Sequence, residues 1–200
     1  MSKLKWVRIG LWIAVMAVVL GVVLFKPNLS TVGVSGAPDI GGAFSMTDHN
    51  GRAVTEKDFL GKPMLVFFGF TSCPSVCPTT LMDMSSWLRE LGDDGKDIQP
   101  ILVTVDPERD TQDLLKAYLK PFDPRIIALR GTKAQLDDMM KTYKAFYKKV
   151  PMETGDYTVD HTAMVYMMRS DGSFKGTIDF HEPKKTAIPK LKLLLADKGL

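Results

Sequence analysis

The chain has 200 residues, of which 45% are hydrophobic and 24% are charged, which suits one globular domain with an appendage. Its formal net charge is only +3 and the basic residues are dispersed, so nothing in the charge pattern indicates a nucleic-acid partner. The two cysteines, Cys73 and Cys77, are too few for an iron–sulfur cluster held by four thiolates of one chain.

Residues 1–26 are predicted to form a membrane anchor. The run from Ile9 to Phe25 carries no charge over 17 residues, a length near the lower limit for a helix that spans a bilayer. The basic residues before this run are expected to keep the N-terminus in the cytoplasm, so that the rest of the chain is exported. The alternative is a cleaved signal peptide, although Pro38 follows the best small-residue site and is expected to hinder cleavage.

The compartment and the domain boundaries follow from this segment. No long amphipathic transit sequence precedes the apolar run, which favours a bacterial inner membrane, with the soluble domain in the periplasm, over a mitochondrial inner membrane. Residues 27–38 are rich in Gly, Ser and Pro and predict a flexible linker. Residues 39–200 are expected to form the folded domain, in a compartment where the redox state of cysteine matters.

Strand and helix patterns alternate through the first part of the domain. Asn50-Gly51 is typical of a hairpin turn. Short apolar runs then predict three buried strands, over residues 64–70, 98–105 and 125–129, and each is followed by apolar residues at helical spacing. This order predicts a mostly parallel sheet with helices on its faces.

The later elements are less regular. Residues 143–150 predict an edge strand, and residues 151–160 predict a polar loop. Residues 162–168 predict an apolar strand that turns through Asp171-Gly172 into another strand, so this hairpin should extend the sheet in antiparallel fashion. In the final helix, Pro189 predicts that the regular part begins only about there.

The two cysteines lie where the first buried strand gives way to a helix. Their i, i+4 spacing on a helical turn would place both thiols on one side. Because the start of a helix carries partial positive charge and unpaired N–H groups, it lowers the pKa of a thiol. Paired thiolates favour soft metal ions such as Cu(I) or zinc. The sequence therefore favours a copper site formed by the two cysteines and a third ligand from another part of the chain.

A structural disulfide between Cys73 and Cys77 is the alternative. The bridge would close a very short loop, and the Cβ atoms of a helical i, i+4 pair lie about 5–6 Å apart, wider than the ~3.5–4.5 Å of a relaxed disulfide. Such a bridge would be strained and easily reduced, which is typical of a redox-active pair rather than a structural staple.

Other polar residues carry weaker signals. His161 precedes an apolar strand, and is either a partly buried structural residue or a ligand that faces the cysteines. Asp160 beside it would orient the ring or contact a partner.

The remaining polar residues are assigned no ligand role. His49 and His181 are interpreted as solvated turn or loop residues. Three acidic residues in the segment 106–110 have no EF-hand spacing and are interpreted as turn and helix-cap chemistry, with Asp110 or Thr111 as the cap. The twelve methionines are interpreted mainly as core residues.

Four segments together strongly resemble the Sco/SenC family of membrane-anchored, thioredoxin-like copper proteins: FFGFTSCPSVCPTTL, ILVTVDPERDT, FDPRIIALRGT and DYTVDHTAMVYMMRSDG. The resemblance covers roughly residues 37–195. It implies a thioredoxin-like α/β fold with a central mixed sheet flanked by helices, behind one N-terminal transmembrane helix. It also implies that the cysteines of C-x-x-x-C and the histidine of the D-H pair, here Cys73, Cys77 and His161, bind copper as Cu(I), Cu(II) or both.

The resemblance further implies a metallochaperone that delivers copper to the binuclear site of cytochrome c oxidase subunit II, with other copper chaperones or thioredoxin-like reductases as possible further partners. Two alternatives stay open. The first is a membrane-tethered thiol–disulfide oxidoreductase that reduces the client cysteines and needs Cys73 and Cys77 but not His161. The second is a redox or copper sensor, for which the sequence supplies no signalling domain.

Overall fold

The computed structural model of the chain describes residues 12, 13, 15, 16, 39–153 and 155–197. The chain divides into two compact units, Met1–Ala37 and Pro38–Leu200. The predicted anchor and linker lie outside the described residues, except for the four helical positions between 12 and 16. Among the residues that are described, no helix is both long and apolar enough to cross a membrane.

The larger unit is built on a seven-stranded mixed sheet and a separate two-stranded sheet. The strands are β1 Ser45–Asp48, β2 Ala53–Thr55, β3 Met64–Gly69, β4 Gln99–Thr104, β5 Ile127–Arg130, β6 Tyr147–Pro151, β7 Tyr157–His161, β8 Val165–Met168 and β9 Phe174–Ile178. The order in the larger sheet is β2-β1-β5-β4-β3-β8-β9, and the smaller sheet pairs β6 with β7 in antiparallel register.

Four helices belong to this unit: α1 Val76–Glu90, α2 Gln112–Leu119, α3 Lys133–Thr142 and α4 Lys184–Ala196. Short 3-10 helices cover Glu56–Phe59 and Asp94–Asp97. Helices α1 and α2 connect the parallel pairs β3–β4 and β4–β5, because a parallel pair needs a crossover between its strands. Helix α3 follows β5 and leads to β6 of the two-stranded sheet. The predicted alternation of strands and helices is confirmed.

Strand β3 lies inside the sheet, between β4 and β8, and all six of its residues are buried. It pairs in parallel with β4 and in antiparallel fashion with β8, so the apolar run has neighbours on both edges and layers on both faces. In this sheet two pairings are parallel, β3–β4 and β4–β5, and four are antiparallel. The mixed sheet implied by the family resemblance is confirmed, whereas the mostly parallel sheet predicted from the order of strands and helices is wrong, because β1, β2, β8 and β9 are added to the parallel strands in antiparallel fashion. The Asn50-Gly51 turn joins β1 to β2 as predicted.

Two predicted elements differ from the structure. The predicted polar loop 151–160 contains most of β7, because Tyr157–His161 finds a partner strand in β6 that its polar sequence does not reveal. Helix α4 begins at Lys184, five residues before Pro189, so the proline lies inside the helix. Burial of Ala187, Ile188 and Leu191 explains the early start, since packing of an apolar face outweighs one lost backbone hydrogen bond.

Candidate metal centre

The cysteines occupy the connection between the buried strand β3 and helix α1. Cys73 lies in the turn before the helix, and Cys77 is the second residue of the helix. The backbone N–H of Cys77 donates to Sγ of Cys73 over 3.3 Å, so the first thiol accepts from one of the free N–H groups that begin the helix. The two thiols therefore lie on either side of the helix start. The sequence pattern predicted both on one helical turn, but the helix begins only at Val76, after Cys73.

The Cys77 thiol points into the protein and is fully buried, whereas Cys73 is partly exposed. The backbone N–H of Phe70 donates to Sγ of Cys77 over 3.5 Å. Gly69, the last residue of β3, leaves room for this sulfur, since a Cβ there would lie 3.0 Å from Sγ of Cys77. One thiol is thus held in place while the other is accessible.

His161 ends strand β7 and faces the thiols. Its Nε2 lies 3.5 Å from Sγ of Cys77, and its Nδ1 lies 3.0 Å from the carbonyl oxygen of Thr162. A carbonyl only accepts, so Nδ1 carries the proton and donates, which leaves the lone pair of Nε2 directed at the cysteines. Phe67 and Phe70 pack edge-on against the imidazole, with ring centroids 6.0 and 5.8 Å away.

The two sulfurs and one imidazole nitrogen lie within 4.8 Å of one another. In the part of the chain that is described, they are the only group of three or more His, Cys, Asp or Glu side chains placed to share a metal ion. A cavity of about 250 Å³ opens beside them and is lined by residues of the cysteine turn and of β7. Two soft sulfurs and a borderline nitrogen form a donor set that fits copper better than a hard cation.

The two thiols differ in acidity. The pKa of Cys73 is well below that of an ordinary thiol, chiefly because the Cys77 thiol donates a hydrogen bond to it. The backbone N–H groups at the helix start lower the pKa of Cys73 further, and partial burial opposes them. The pKa of Cys77 is raised, because its proton is held in the bond to Cys73 and because burial disfavours a second thiolate. The accessible thiol is the nucleophilic one.

Asp160, the predicted ring-orienting residue, is exposed and lines the same cavity. The ring is instead oriented by the carbonyl of Thr162, its other neighbour. A partner-contact role for Asp160 stays a prediction.

The other histidines lie in different surroundings. His49 is half-buried in the β1–β2 turn, where its Nδ1 accepts from the backbone N–H of Ala128 over 3.1 Å. His181 has a positive φ of 62° and stacks on Phe180, with ring centroids 3.8 Å apart. Seven methionines are buried in the core, as predicted: Met46, Met64, Met84, Met139, Met140, Met167 and Met168.

Asp110 is a site residue that sequence patterns missed. Thr111, not Asp110, caps α2, and its side chain accepts from the N–H of Leu114. Asp110 is fully buried and accepts from Thr71 Oγ1 over 2.5 Å and from Thr104 Oγ1 over 2.6 Å. The signal available in the sequence was the acidic residue Asp110 between a buried strand and a helix. It was accompanied by Thr71, just after β3, and Thr104, at the end of β4.

Comparison with known proteins agrees with this geometry. A family model described as SCO1/SenC matches residues 32–196. The Mus musculus protein "SCO1 homolog, mitochondrial" is 41% identical over 142 residues, which are 70% of this chain and 50% of that protein. The match thus spans about half the length of this relative and of the similar Homo sapiens protein.

Two solved structures with copper bound are similar. Bradyrhizobium japonicum ScoI is 45% identical, with a TM-score of 0.72, and the match covers 78% of this chain and 99% of that one. Yeast Sco1 is 34% identical, with a TM-score of 0.74, and the match covers 80% of this chain and 90% of that one.

The fold and the site define a thioredoxin-like α/β domain with a two-thiol, one-imidazole centre at the junction of strand β3 and helix α1. The chain belongs to the SCO1/SenC family.

Proposed function

We propose that this chain is a membrane-anchored copper metallochaperone that delivers copper to the binuclear site of cytochrome c oxidase subunit II. The observation that carries the proposal is the convergence of Cys73, Cys77 and His161, whose ligand atoms lie within 4.8 Å of one another. The relatives solved with copper bound support copper as the cargo.

In this proposal, Cys73 and Cys77 bind Cu(I) through their sulfurs, and His161 Nε2 completes the site and helps to hold Cu(II). The low pKa of Cys73 keeps one sulfur ionised before the metal arrives, and metal binding displaces the proton from Cys77. A disulfide would occupy both sulfurs, so the redox state of the pair controls loading.

Transfer then requires a sulfur that a client can replace. Cys73 is the partly exposed ligand, at the mouth of the cavity, whereas Cys77 is fully buried. A client thiolate that binds the copper displaces Cys73 first, with one Cu–S bond formed as one is broken and no change in oxidation state. Asp160, at the rim of that cavity, would contact the client.

The location in this proposal is a bacterial inner membrane, with residues 1–26 as the anchor and the domain in the periplasm. Support comes from the basic residues that precede the uncharged run Ile9–Phe25. Other copper chaperones or thioredoxin-like reductases would load the site or reduce its cysteines.

Anaerobic titration of the reduced protein with Cu(I), in competition with a chromogenic chelator, tests the site. We expect one tightly bound copper per chain, and weaker binding in His161→Ala and Cys73→Ala. His49→Ala is the matched control, because His49 is a half-buried histidine of another element. Reduced wild-type protein that binds no copper tightly would contradict the metallochaperone. Normal oxidase assembly in copper-limited cells that lack this protein would contradict delivery.

A second function, reduction of client disulfides, is favoured by the unequal thiols. An accessible thiol of low pKa beside a buried thiol of raised pKa is the arrangement of an attacking and a resolving cysteine. Attack by Cys73 on a client disulfide forms a mixed disulfide and releases one client thiolate. Attack by Cys77 then releases the second, and the pair is left oxidised. Disulfide reduction that persists in His161→Ala without copper would support this function.

A further inference from the structure

Residues 106–110 form a tight loop between β4 and α2, which we call the 106–110 loop. The N–H groups of Arg109 and Asp110 both donate to the carbonyl of Asp106, over 3.2 and 2.9 Å. Arg130, at the end of β5, donates to the carbonyl oxygens of Pro107 and Asp110 over 2.8 and 2.9 Å. The loop is therefore braced by its own backbone and by the sheet.

One end of the loop contacts the hairpin that carries His161. Asp106 is fully buried and pairs with the guanidinium of Arg109, and it accepts from the hydroxyl of Tyr157 over 2.9 Å. Arg109 Nη1 donates to the carbonyl of Tyr157 over 2.9 Å, and its guanidinium stacks on the Tyr157 ring at 3.9 Å. Tyr157 is the first residue of β7 and His161 is the last, so these contacts fix the N-terminal end of the strand that carries His161.

The partner strand is held as well. Lys149 of β6 pairs with Glu108 over 2.6 Å, and its ammonium lies 4.5 Å from the centre of the Tyr157 ring. Lys149 lies opposite Val159 in the β6–β7 register, midway between Tyr157 and His161. The loop thus holds both strands of the hairpin, whose own two-stranded sheet pairs with no other strand in the described residues.

The other end of the loop contacts the turn that carries Cys73. The carboxylate of Asp110 accepts from the backbone N–H of Thr71 over 3.1 Å and from its hydroxyl over 2.5 Å. Thr71 comes two residues before Cys73, at the start of the turn between β3 and α1. A single rigid loop of five residues is therefore hydrogen-bonded to the cysteine turn at one end and to the histidine hairpin at the other.

We propose that Arg109 is a positioning residue of the metal centre, which joins Asp106 to Tyr157 and so sets the distance between His161 and the cysteine pair. Residues that orient ligands from outside the ligand set typically change metal affinity about 10- to 100-fold when they are removed. This inference rests on the proposed copper site, and it adds a residue that makes no contact with the three ligands.

The test compares Arg109→Ala with Arg125→Ala in the full chain. Arg125 is the matched control, because it also pairs with an aspartate, Asp123, and also donates to a backbone carbonyl, that of Gly95. Arg125 precedes β5, whereas the 106–110 loop follows the parallel strand β4, so the two lie at opposite ends of these strands. Tyr157→Phe is the milder second variant, since it removes only the hydroxyl that bonds to Asp106.

Two measurements are made on each variant. The first is Cu(I) affinity by chelator competition, together with the sulfur-to-copper charge-transfer band of the Cu(II) form. Both are measured for each variant alone and for each variant combined with His161→Ala. The second is hydrogen–deuterium exchange of the copper-free protein over residues 147–161. We expect Arg109→Ala to weaken copper binding about 10- to 100-fold, to shift the band and to speed exchange in the hairpin. Arg125→Ala should change none of these, and Tyr157→Phe should act in the same direction as Arg109→Ala but less.

The His161→Ala background decides whether Arg109 acts through the histidine. If it does, Arg109→Ala causes no further loss once His161 is gone. A loss that persists in that background overturns the inference, as does wild-type affinity and exchange in Arg109→Ala. Should wild-type protein bind no copper, the proposed function fails, while exchange in the hairpin still shows whether Arg109 holds it.

Discussion

The buried thiol of Cys77 depends on a residue that has no side chain. A Cβ at Gly69 would lie 2.8 Å from Cε1 of Phe67, 3.0 Å from Sγ of Cys77 and 3.2 Å from Cδ1 of Leu102. These atoms belong to the packed core, so they cannot move aside freely. The space for the Cys77 sulfur is therefore provided by the absence of a methyl group at the end of strand β3.

We expect Gly69→Ala to destabilise the domain by about 1–3 kcal/mol, because the added methyl overpacks the core, and to weaken copper binding, because it displaces Sγ of Cys77. Urea denaturation and Cu(I) competition measure the two effects. Gly176→Ala is the control, since its Cβ would meet only the terminal methyl of Met167, at 3.3 Å. Unchanged copper affinity in Gly69→Ala would show that the sulfur is not confined in this way.

The lowered pKa of Cys73 predicts a specific pH dependence of alkylation. A thiol with a depressed pKa stays ionised as the pH falls, whereas an ordinary thiol, with a pKa of about 8.5, loses about tenfold in thiolate per pH unit below that value. Reduced protein at about pH 6 should react with iodoacetamide at Cys73 far faster than at Cys77, as peptide mass mapping would show. The same protein unfolded in guanidinium chloride should react slowly at both. Equal rates at the two thiols in the folded protein would contradict the asymmetry.

At the scale of single elements, neighbouring residues at the start of α2 have separate tasks. Thr111 caps the helix, while Asp110 turns inward and bonds to the threonines at the ends of β3 and β4. An N-cap satisfies one free N–H of its own helix, which is a local effect. A buried carboxylate that satisfies donors of two other elements fixes how those elements lie together.

Substitution of each residue should separate these tasks. Thr111→Ala is expected to cost about 1 kcal/mol of unfolding free energy and to leave Cu(I) affinity unchanged. Asp110→Ala should cost more, about 1–3 kcal/mol for each buried donor left unpaired, and should also weaken copper binding through the cysteine turn. Urea denaturation with Cu(I) competition gives both numbers. A larger loss of copper affinity in Thr111→Ala than in Asp110→Ala would reverse the assignment.

For the whole molecule, the core and the metal centre belong to one unit. All of the strands and the helices α1 to α4 fall within Pro38–Leu200, and so do the three candidate ligands. Every buried core residue of the described chain also lies in that unit. The unit Pro38–Leu200 therefore contains both the described core and the candidate metal centre.

We accordingly expect a fragment of residues 38–200 to unfold in one cooperative transition and to bind Cu(I) as the full chain does. Calorimetry and chelator competition on the two proteins provide the comparison, with the full chain held in detergent micelles. His161→Ala in both backgrounds serves as the control and should weaken binding equally. A fragment that lacks near-UV circular dichroism, or that loses copper affinity, would show that the N-terminal residues contribute to the domain.

Much of this arrangement could be predicted from the sequence. The apolar run before Cys73 and the Asn50-Gly51 turn predicted their elements correctly, because periodicity and turn chemistry act over a few residues. The helix start beside the cysteines followed from the same local signals. The assignment of His161 as a ligand came from family resemblance, since no local pattern connects it with the thiols.

The amino-acid sequence by itself determined which side chains are available: two thiols at a strand–helix junction, a histidine before an apolar strand and a loop of carboxylates. Only the tertiary structure decided which of them meet. His161 and Cys77 are 84 residues apart, and they come within 3.5 Å because β8 pairs with β3 and the β6–β7 hairpin is held by Arg109. The burial of Asp110 and the pairing of β7 were decided in the same way, since contacts between distant segments depend on strand order and packing, which no short stretch of sequence contains.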